Sequence, residues 1–346
     1  MVGFTPATFS VHSGLWPLAS ALGGRRVEYP VVWENVARRS WTAGHLLRQW
    51  GNRYYGSTWN ALVPYISERK IIGTLPQSQD GYPVHFLWGE FGAPKHVEPY
   101  HRKGARVIVN VHCSARRWGS VWLRPDGYKH SDMVVLTSES QRPFVEKDVP
   151  SERVRVIPLG VDTEWFAPPQ RRNARGSKLI MLLLGNTERD HEFAAEVAKR
   201  LPSDQFEWRI RTDSRHHSLY EGIGCVELLP RLSDEEFLRE YQGGDVLAMP
   251  MLDSAANDVL LESMSCGMPV MINRTGGVPE YVRPDCNFIM NNDRNVDGWV
   301  DKLLWLERNR DVLEQMRPLT RAWAETFSWS RVAGQYRRLY NELTAV

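Results

Sequence analysis

Glu262 is a single carboxylate inside an otherwise apolar run, Val259-Leu-Leu-Glu-Ser-Met-Ser-Cys266. A polar loop, Asp253-Ser254-Ala255-Ala256-Asn257-Asp258, precedes it, and Gly267 and Pro269 close the run behind it. Read physically, a strand over Asp245–Met249 ends at Pro250, the loop follows, and a helix starts near Asn257. A helix N-terminus at the C-terminal end of a parallel strand is an anion site, because free backbone N–H groups and the helix dipole both point at it. A carboxylate less than two turns further on can accept a pair of ribose hydroxyls. The plainer reading is a solvated helix residue, and periodicity alone favours it. His112 ends another apolar run, Ala105–Val111, at the place where α/β sheets carry ligand groups. A lone histidine there is as readily a structural hydrogen-bonding residue. His12-Ser13-Gly14 sits in the first loop, where a glycine lets backbone approach a ligand.

These residues need a scaffold of strands that ends at one edge. In the first half, Val84–Trp88, Ala105–Val111, Met133–Thr137 and Val154–Pro158 read as short buried strands. Ser138 with Gln141 three residues on reads as a helix start. In the second half, strands are expected at Leu179–Leu184, Glu207–Arg211, Cys225–Leu229, Asp245–Met249 and Pro269–Ile272. Helices are expected at Glu192–Arg200, Ser233–Tyr241, Val259–Cys266, Asp297–Glu307, Val312–Thr326 and Trp329–Leu343. Strands alternating with helix-length segments imply parallel, doubly wound sheets. Between the halves, Ala167-Pro-Pro-Gln-Arg-Arg-Asn-Ala-Arg-Gly-Ser-Lys178 has linker composition.

Composition narrows the function. The 346 residues suit two domains at roughly 100–200 residues each. With 43 basic and 41 acidic residues the net charge is +2, which gives no support for a nucleic-acid partner. The chain has 14 tryptophans, a residue common at ligand and interface surfaces though mostly just packed. Cys113, Cys225, Cys266 and Cys286 lack paired spacing, so they read as free thiols in a reducing compartment rather than as a zinc site. The first twenty residues lack a basic leader and an apolar core, and no run approaches ~20 apolar residues, so a soluble cytoplasmic protein is expected. There is no Walker A lysine loop and no G-x-S-x-G elbow. Arg38–Tyr55 interleaves arginines with aromatics, and Arg116-Arg117-Trp118 follows His112. Such segments suit an acceptor or anionic-membrane surface, or form an ordinary amphipathic helix.

Several ordered motifs resemble the family 4 glycosyltransferases, glycosyl transferases group 1. Glu262-Ser-Met-Ser-Cys-Gly-Met-Pro-Val270 is similar to the second half of that family's E-x7-E donor motif and its A-M-A-C-G-x-P-V tail. Gly276-Gly-Val-Pro-Glu280 is similar to its G-G-x-P-E turn, and Val156-Ile-Pro-Leu-Gly-Val-Asp-Thr-Glu-Trp-Phe166 to its interdomain segment. Ser131-Asp-Met-Val-Val-Leu-Thr-Ser-Glu-Ser-Gln141 and Leu229-Pro-Arg-Leu-Ser-Asp-Glu-Glu-Phe-Leu238 extend the resemblance over about residues 105–345.

The resemblance implies a GT-B fold, two Rossmann-like doubly wound domains facing across a cleft. Residues 1–166 would be the acceptor-binding domain, 167–178 the linker and 179–327 the nucleotide-sugar-binding domain. Residues 328–346 would be a helix crossing back to the first domain. It also implies a nucleoside-diphosphate sugar donor, retention of anomeric configuration and no metal or other cofactor. The acceptor would be a carbohydrate or lipid-linked hydroxyl, in polysaccharide or glycoconjugate synthesis, with the enzyme peripheral to the inner membrane at most. A metal-free site must neutralise the leaving diphosphate with a cation and a helix N-terminus. Glu262 would take the ribose. Asp253, Ser254, Ala255, Ala256, Asn257 and Asp258 would hold sugar and phosphate, Arg231 would lie near the base, and Gly14 and His112 near the sugar.

Two positions depart from the family pattern. The first acid of E-x7-E falls on Ser254, with Asp253 beside it. The family's G-R and later lysine become Gly185-Asn-Thr-Glu-Arg-Asp-His191. Arg189 is the nearest cation after Gly185. It either does the arginine's work or pairs with Glu188 or Asp190 on the surface, and Arg211 is a weaker candidate. The departures keep two other functions open: a nucleotide-sugar-binding protein with little or no turnover, and a GT-B epimerase. The epimerase would need a converging acid/base pair that the sequence does not identify.

Overall fold

Residues 12–23, 45, 49, 53, 71–171 and 176–345 are described in the structure of the protein, a computed structural model. The basic, aromatic stretch Arg38–Tyr55 lies outside the described residues apart from His45, Gln49 and Arg53. The chain divides into two compact units, one of Met1–Leu159 with Ser330–Val346 and the other of Gly160–Trp329.

The first unit is built on a four-stranded parallel sheet in the order β1 (Tyr82–Phe86), β2 (Ala105–Val111), β3 (Met133–Leu136), β4 (Val154–Val156). Apolar residues dominate the two central strands, β2 and β3, because both sheet faces are covered there. Val107, Ile108, Val109 and Val111 of β2 are all fully buried. The first strand ends two residues earlier than Val84–Trp88 suggests. Gly89 packs so tightly on β2 that a Cβ would overlap Val109 and the Asn110 carbonyl, which turns the chain at Trp88 into a short helical turn. Ser138 and Gln141 form the expected capping box at a 3-10 turn.

A long-range polar network fixes the end of the chain to this sheet. His85 of β1 bonds the Tyr340 hydroxyl through Nδ1 (2.6 Å) and the Asn110 Oδ1 through Nε2 (2.8 Å). Asn110 Nδ2 in turn donates to the Tyr336 hydroxyl at 2.7 Å. Because an amide oxygen only accepts, Nε2 carries the imidazole proton and Nδ1 accepts from Tyr340. Burial pulls the His85 pKa down to about 3, so the ring stays neutral.

The second unit has six parallel strands ordered β10-β9-β8-β5-β6-β7: β5 Leu179–Leu184, β6 Phe206–Arg211, β7 Val226–Leu228, β8 Val246–Ala248, β9 Val270–Asn273 and β10 Phe288–Met290. Its long helices follow in chain order after α1 (Trp16–Leu22) of the first unit. They are α2 (His191–Ala198), α3 (Asp234–Gly243), α4 (Asp258–Ser265), α5 (Val296–Arg308) and α6 (Arg310–Ala324). α7 (Trp329–Thr344) closes the fold.

The four cysteines are buried and free, and burial pushes the thiols of Cys113, Cys225, Cys266 and Cys286 up.

Gly160 opens the second unit against the residue that closes it. A Cβ at 160 would overlap the Trp329 ring. Val161 N–H donates to the Phe327 carbonyl (2.9 Å) and Trp329 N–H to the Val161 carbonyl (3.2 Å). Trp329 is buried and cannot swing away, so Gly160→Ala is expected to cost about 2 kcal/mol, as overpacking a filled interior does. Urea unfolding should show a lower midpoint at unchanged slope. An unchanged midpoint would mean that the ring has room the structure denies it.

Candidate functional site

The candidate site of the second unit gathers at the C-terminal ends of β5 and β8. After Ala248 the chain leaves the sheet through Pro250 and a polar loop, and Asn257 caps α4 by accepting the Leu260 N–H at 3.2 Å. Asp253, Ser254 and Ala255 of that loop are buried, and Ala256 and Asp258 are partly so. Asp253 Oδ1 accepts the Ser254 N–H at 2.8 Å, and Ser254 passes its carbonyl to the Gly277 N–H at 2.6 Å. Gly276 (φ 48°) approaches that carbonyl so closely that a Cβ would overlap it, which gives the Gly276-Gly277 turn its physical reason.

At its other end α4 stops at Gly267 in the left-handed region (φ 74°), with the Met268 N–H returning to the Ser263 carbonyl at 3.0 Å. Arg317 and Arg321 donate to the Gly267 and Ser265 carbonyls, cations at the negative end of the helix.

Glu262 is buried rather than solvated. Its Oε2 accepts the Tyr241 phenol at 2.6 Å, and Tyr241 is held edge-on by Phe166, with ring centroids 5.8 Å apart. Burial and the Glu262 carboxylate push the Tyr241 phenol up, so it stays protonated and donates. Sequence reasoning missed Tyr241, although it ends the expected Ser233–Tyr241 helix and shares its packing with the Phe166 of the interdomain motif.

Arg189 turns inward. It makes no ion pair with Glu188 or Asp190. Its Nε donates to the Leu184 carbonyl (3.0 Å), Nη1 to the Thr187 carbonyl (2.7 Å) and Nη2 to Asn257 Oδ1 (3.2 Å). The guanidinium thus reaches the cap of α4. Burial pulls its pKa down to about 10, with Tyr241, Asp258 and Glu262 opposing that fall, so it is a cation at neutral pH. Gly185 (φ 96°) makes room: a Cβ there would stand 2.9 Å from Arg189 Nη2. Asn186, in the place of the expected arginine, accepts from the Thr212 hydroxyl (2.9 Å) and the Asp213 N–H (2.6 Å). His191 binds Tyr220 and Thr212 and is held at a pKa of about 4, chiefly by burial, so it adds no charge near neutrality.

The second unit therefore brings together Gly185, Arg189, Asp253, Ser254, Ala255, Ala256, Asn257, Asp258 and Glu262. Arg231 is exposed beyond β7, and no hydrogen bond or ion pair joins it to that group among the described residues.

The first unit holds Gly14 and His112. Gly14 (φ 64°) faces the Trp88 ring, which a Cβ would meet at 3.3 Å, and Trp88 and His112 are 6.2 Å apart between ring centroids. His112 Nε2 donates to the Leu87 carbonyl at 2.8 Å, which leaves Nδ1 as the ring's other polar atom. Glu90 was missed in the sequence. Its buried Oε1 accepts the backbone N–H of His112 (2.5 Å) and of Cys113 (2.8 Å) and fixes the end of β2. Its signal was the Gly89 before it, which only a close helix–strand approach requires.

Residues 180–309 match the family model described as Glycosyl transferases group 1. The D-inositol 3-phosphate glycosyltransferase of Corynebacterium jeikeium is 26% identical over 239 residues, 61% of this chain and 57% of that protein. The MMP alpha-(1->4)-mannosyltransferase of Mycolicibacterium hassiacum is 28% identical over 249 residues, 66% of this chain and 59% of that protein. The chain thus spans little more than half the length of these curated relatives. Among solved structures, Anabaena Alr3699/HepE in complex with UDP and glucose superposes with a TM-score of 0.69 at 12% identity, covering 100% of this chain and 99% of that one. Sucrose-phosphate synthase from Thermosynechococcus elongatus gives 0.64 at 18% identity, covering 76% and 74%. At these identities the likeness is one of fold, and the two parallel α/β units are the GT-B architecture. The second unit thus carries, over residues 180–309, a Glycosyl transferases group 1 domain.

Proposed function

We propose that the chain is a retaining, metal-independent glycosyltransferase that moves a hexose from a nucleoside-diphosphate sugar to a hydroxyl of a carbohydrate or lipid-linked acceptor. The observation that supports this reading is the meeting of the Arg189 guanidinium with the capped N-terminus of α4, one helix turn before the buried carboxylate of Glu262. As the bond from the anomeric carbon to the diphosphate oxygen breaks, negative charge grows on the leaving group. A guanidinium and helix N–H groups already aimed at that place stabilise it without reorganisation. Glu262 takes the ribose, and the Asp253–Asp258 loop holds sugar and phosphate. The donor phosphate takes the acceptor proton, so no protein base is assigned. In the first unit, His112 offers Nδ1 to a ligand hydroxyl, and Gly14 gives backbone approach. The proposed setting is the cytoplasm, with lipid-linked acceptors met at a membrane surface. No described helix is long and apolar enough to cross a membrane.

A second reading, a nucleotide-sugar-binding protein with little turnover, is favoured by the three bonds that already hold Arg189. A thermal-shift screen of UDP, GDP, ADP, CDP and dTDP, followed by transfer of labelled sugar from the matching donor in EDTA, decides between them. At ~100 times its dissociation constant, the right nucleotide should stabilise by about 2.7 kcal/mol. Transfer in EDTA is the expected result, binding without turnover favours the second reading, and no binding at millimolar nucleotide sinks both.

A further inference from the structure

Arg189 sits in a loop, 186–190, that owes its shape to residues far along the chain. Glu188 holds a positive φ of 58°, and the loop is laced to the segment after β8. Asp190 N–H donates to the Pro250 carbonyl (2.9 Å), Leu252 N–H to the Glu188 carbonyl (2.8 Å), and Arg189 forms an isolated antiparallel bridge with Met251. Met251 is clamped in turn by the Asn273 side chain at the end of β9, which accepts its N–H (2.7 Å) and donates to its carbonyl (2.8 Å). Asn273 Nδ2 also reaches Asn292 Oδ1 at 2.6 Å, tying in the loop after β10.

Arg294 stands at the end of that last loop. Its φ of 52° is in the left-handed region, which glycine adopts freely and residues with a Cβ adopt only uncommonly. Its guanidinium meets Asp190 Oδ2 at 2.9 Å and lies 5.8 Å from the centroid of the Phe193 ring. Asp190 is 5% exposed, and its other oxygen already caps α2 through the Phe193 N–H at 3.1 Å. The helix cap therefore does not need Arg294, and the backbone at 294 would be better served by glycine. What Arg294 adds is a fixed position for Asp190, the residue next to Arg189.

We infer that Arg294, acting through Asp190, is a positioning residue that aims Arg189 at the diphosphate of the donor. The inference rests on the reading of Arg189 as the phosphate cation. Strain kept at one residue for an ion pair beside a ligand loop is the pattern expected of a site held in place before its ligand arrives.

Arg294→Gly separates this role from stability, because it relieves the backbone while deleting the ion pair, and Arg294→Lys returns a cation. Calorimetric binding of UDP, GDP, ADP, CDP and dTDP, and of the five parent nucleosides, is compared among wild type, R294G, R294K and Arg189→Met in the full chain. For the diphosphate that the wild type binds, R294G should bind roughly tenfold more weakly, with R294K recovering part. Nucleoside affinity should stay within about twofold, and the unliganded melting temperature should not fall. R294G binding like wild type while R189M is weakened overturns the inference alone. So does an equal loss for diphosphate and nucleoside together with a lower melting temperature, which marks the pair as scaffold. R189M binding like wild type, or a wild type that binds none of the five, overturns the assignment of Arg189 and this inference with it.

Discussion

Arg189→Met is expected to weaken nucleoside-diphosphate binding by roughly 100-fold, since a charge-assisted hydrogen bond lost from such a site costs about 2–3 kcal/mol and each 1.4 kcal/mol is tenfold. The loss should exceed that of one bond's worth of contact for an electrostatic reason. Arg189 is a cation that feels the charges of Asp258 and Glu262, and its removal withdraws positive charge from a place where an incoming anion meets both carboxylates. Methionine keeps the length of the side chain but leaves the Leu184 and Thr187 carbonyls without its donors, so some stability will go as well. The informative quantity is therefore the affinity ratio of diphosphate to nucleoside, measured by calorimetry. An unchanged ratio would show that the phosphates are held elsewhere. The pH dependence has a definite sign. The guanidinium binds phosphate while protonated, so affinity should hold through neutrality and fall as pH rises through about 10.

Glu262→Ala should abolish discrimination between ribose and 2′-deoxyribose nucleotides. A carboxylate accepting two sugar hydroxyls loses one of them with the deoxy ligand, which costs about 1.5–3 kcal/mol, or roughly 10- to 100-fold in affinity. In the alanine variant both ligands should bind weakly and nearly alike. The variant also strands the buried Tyr241 hydroxyl, at a cost of about 1–3 kcal/mol in stability. Glu262→Gln is the useful companion, because its amide oxygen can still accept from Tyr241. Should the alanine variant keep the wild-type preference for ribose, Glu262 would be a partner of Tyr241 and nothing more.

The scaffold was largely legible because its strands are covered on both faces. Ala105–Val111 and Leu179–Leu184 were bounded to the residue, the first a mostly apolar run interrupted by Arg106 and Asn110, the second unbroken. Ser233 with Glu236 closes a capping box at the start of α3, where a helix was expected over Ser233–Tyr241. β10 escaped notice: Phe288–Met290 is a three-residue edge strand, half-buried throughout, too short for any period to show.

In the site, the position of the α4 N-terminus followed from a strand, a loop and a stop signal, all local in sequence. The phenol on Glu262, the carboxylate of Glu90 under His112 and the inward turn of Arg189 did not. Each depends on residues about twenty to seventy positions apart, which no window of sequence relates. Before folding, Arg189 had two acidic neighbours and every reason to pair with them. In the fold, Asp190 is taken by Arg294, and the guanidinium is left to the carbonyls and to Asn257.

The contact between His85 and Tyr340, 255 residues apart, bears on the order in which the molecule is made. The second unit, Gly160–Trp329, is one continuous stretch and can fold as soon as it has been synthesised. The first unit is interrupted by it. Its sheet is complete by Val156, yet His85 and Asn110 have their hydroxyl partners only when residues 330–345 arrive. Until then two buried polar side chains face an empty groove, and the half of the protein translated first is the half that finishes last. A released chain truncated after residue 329 should thus carry a protease-resistant second unit beside a sensitive first one.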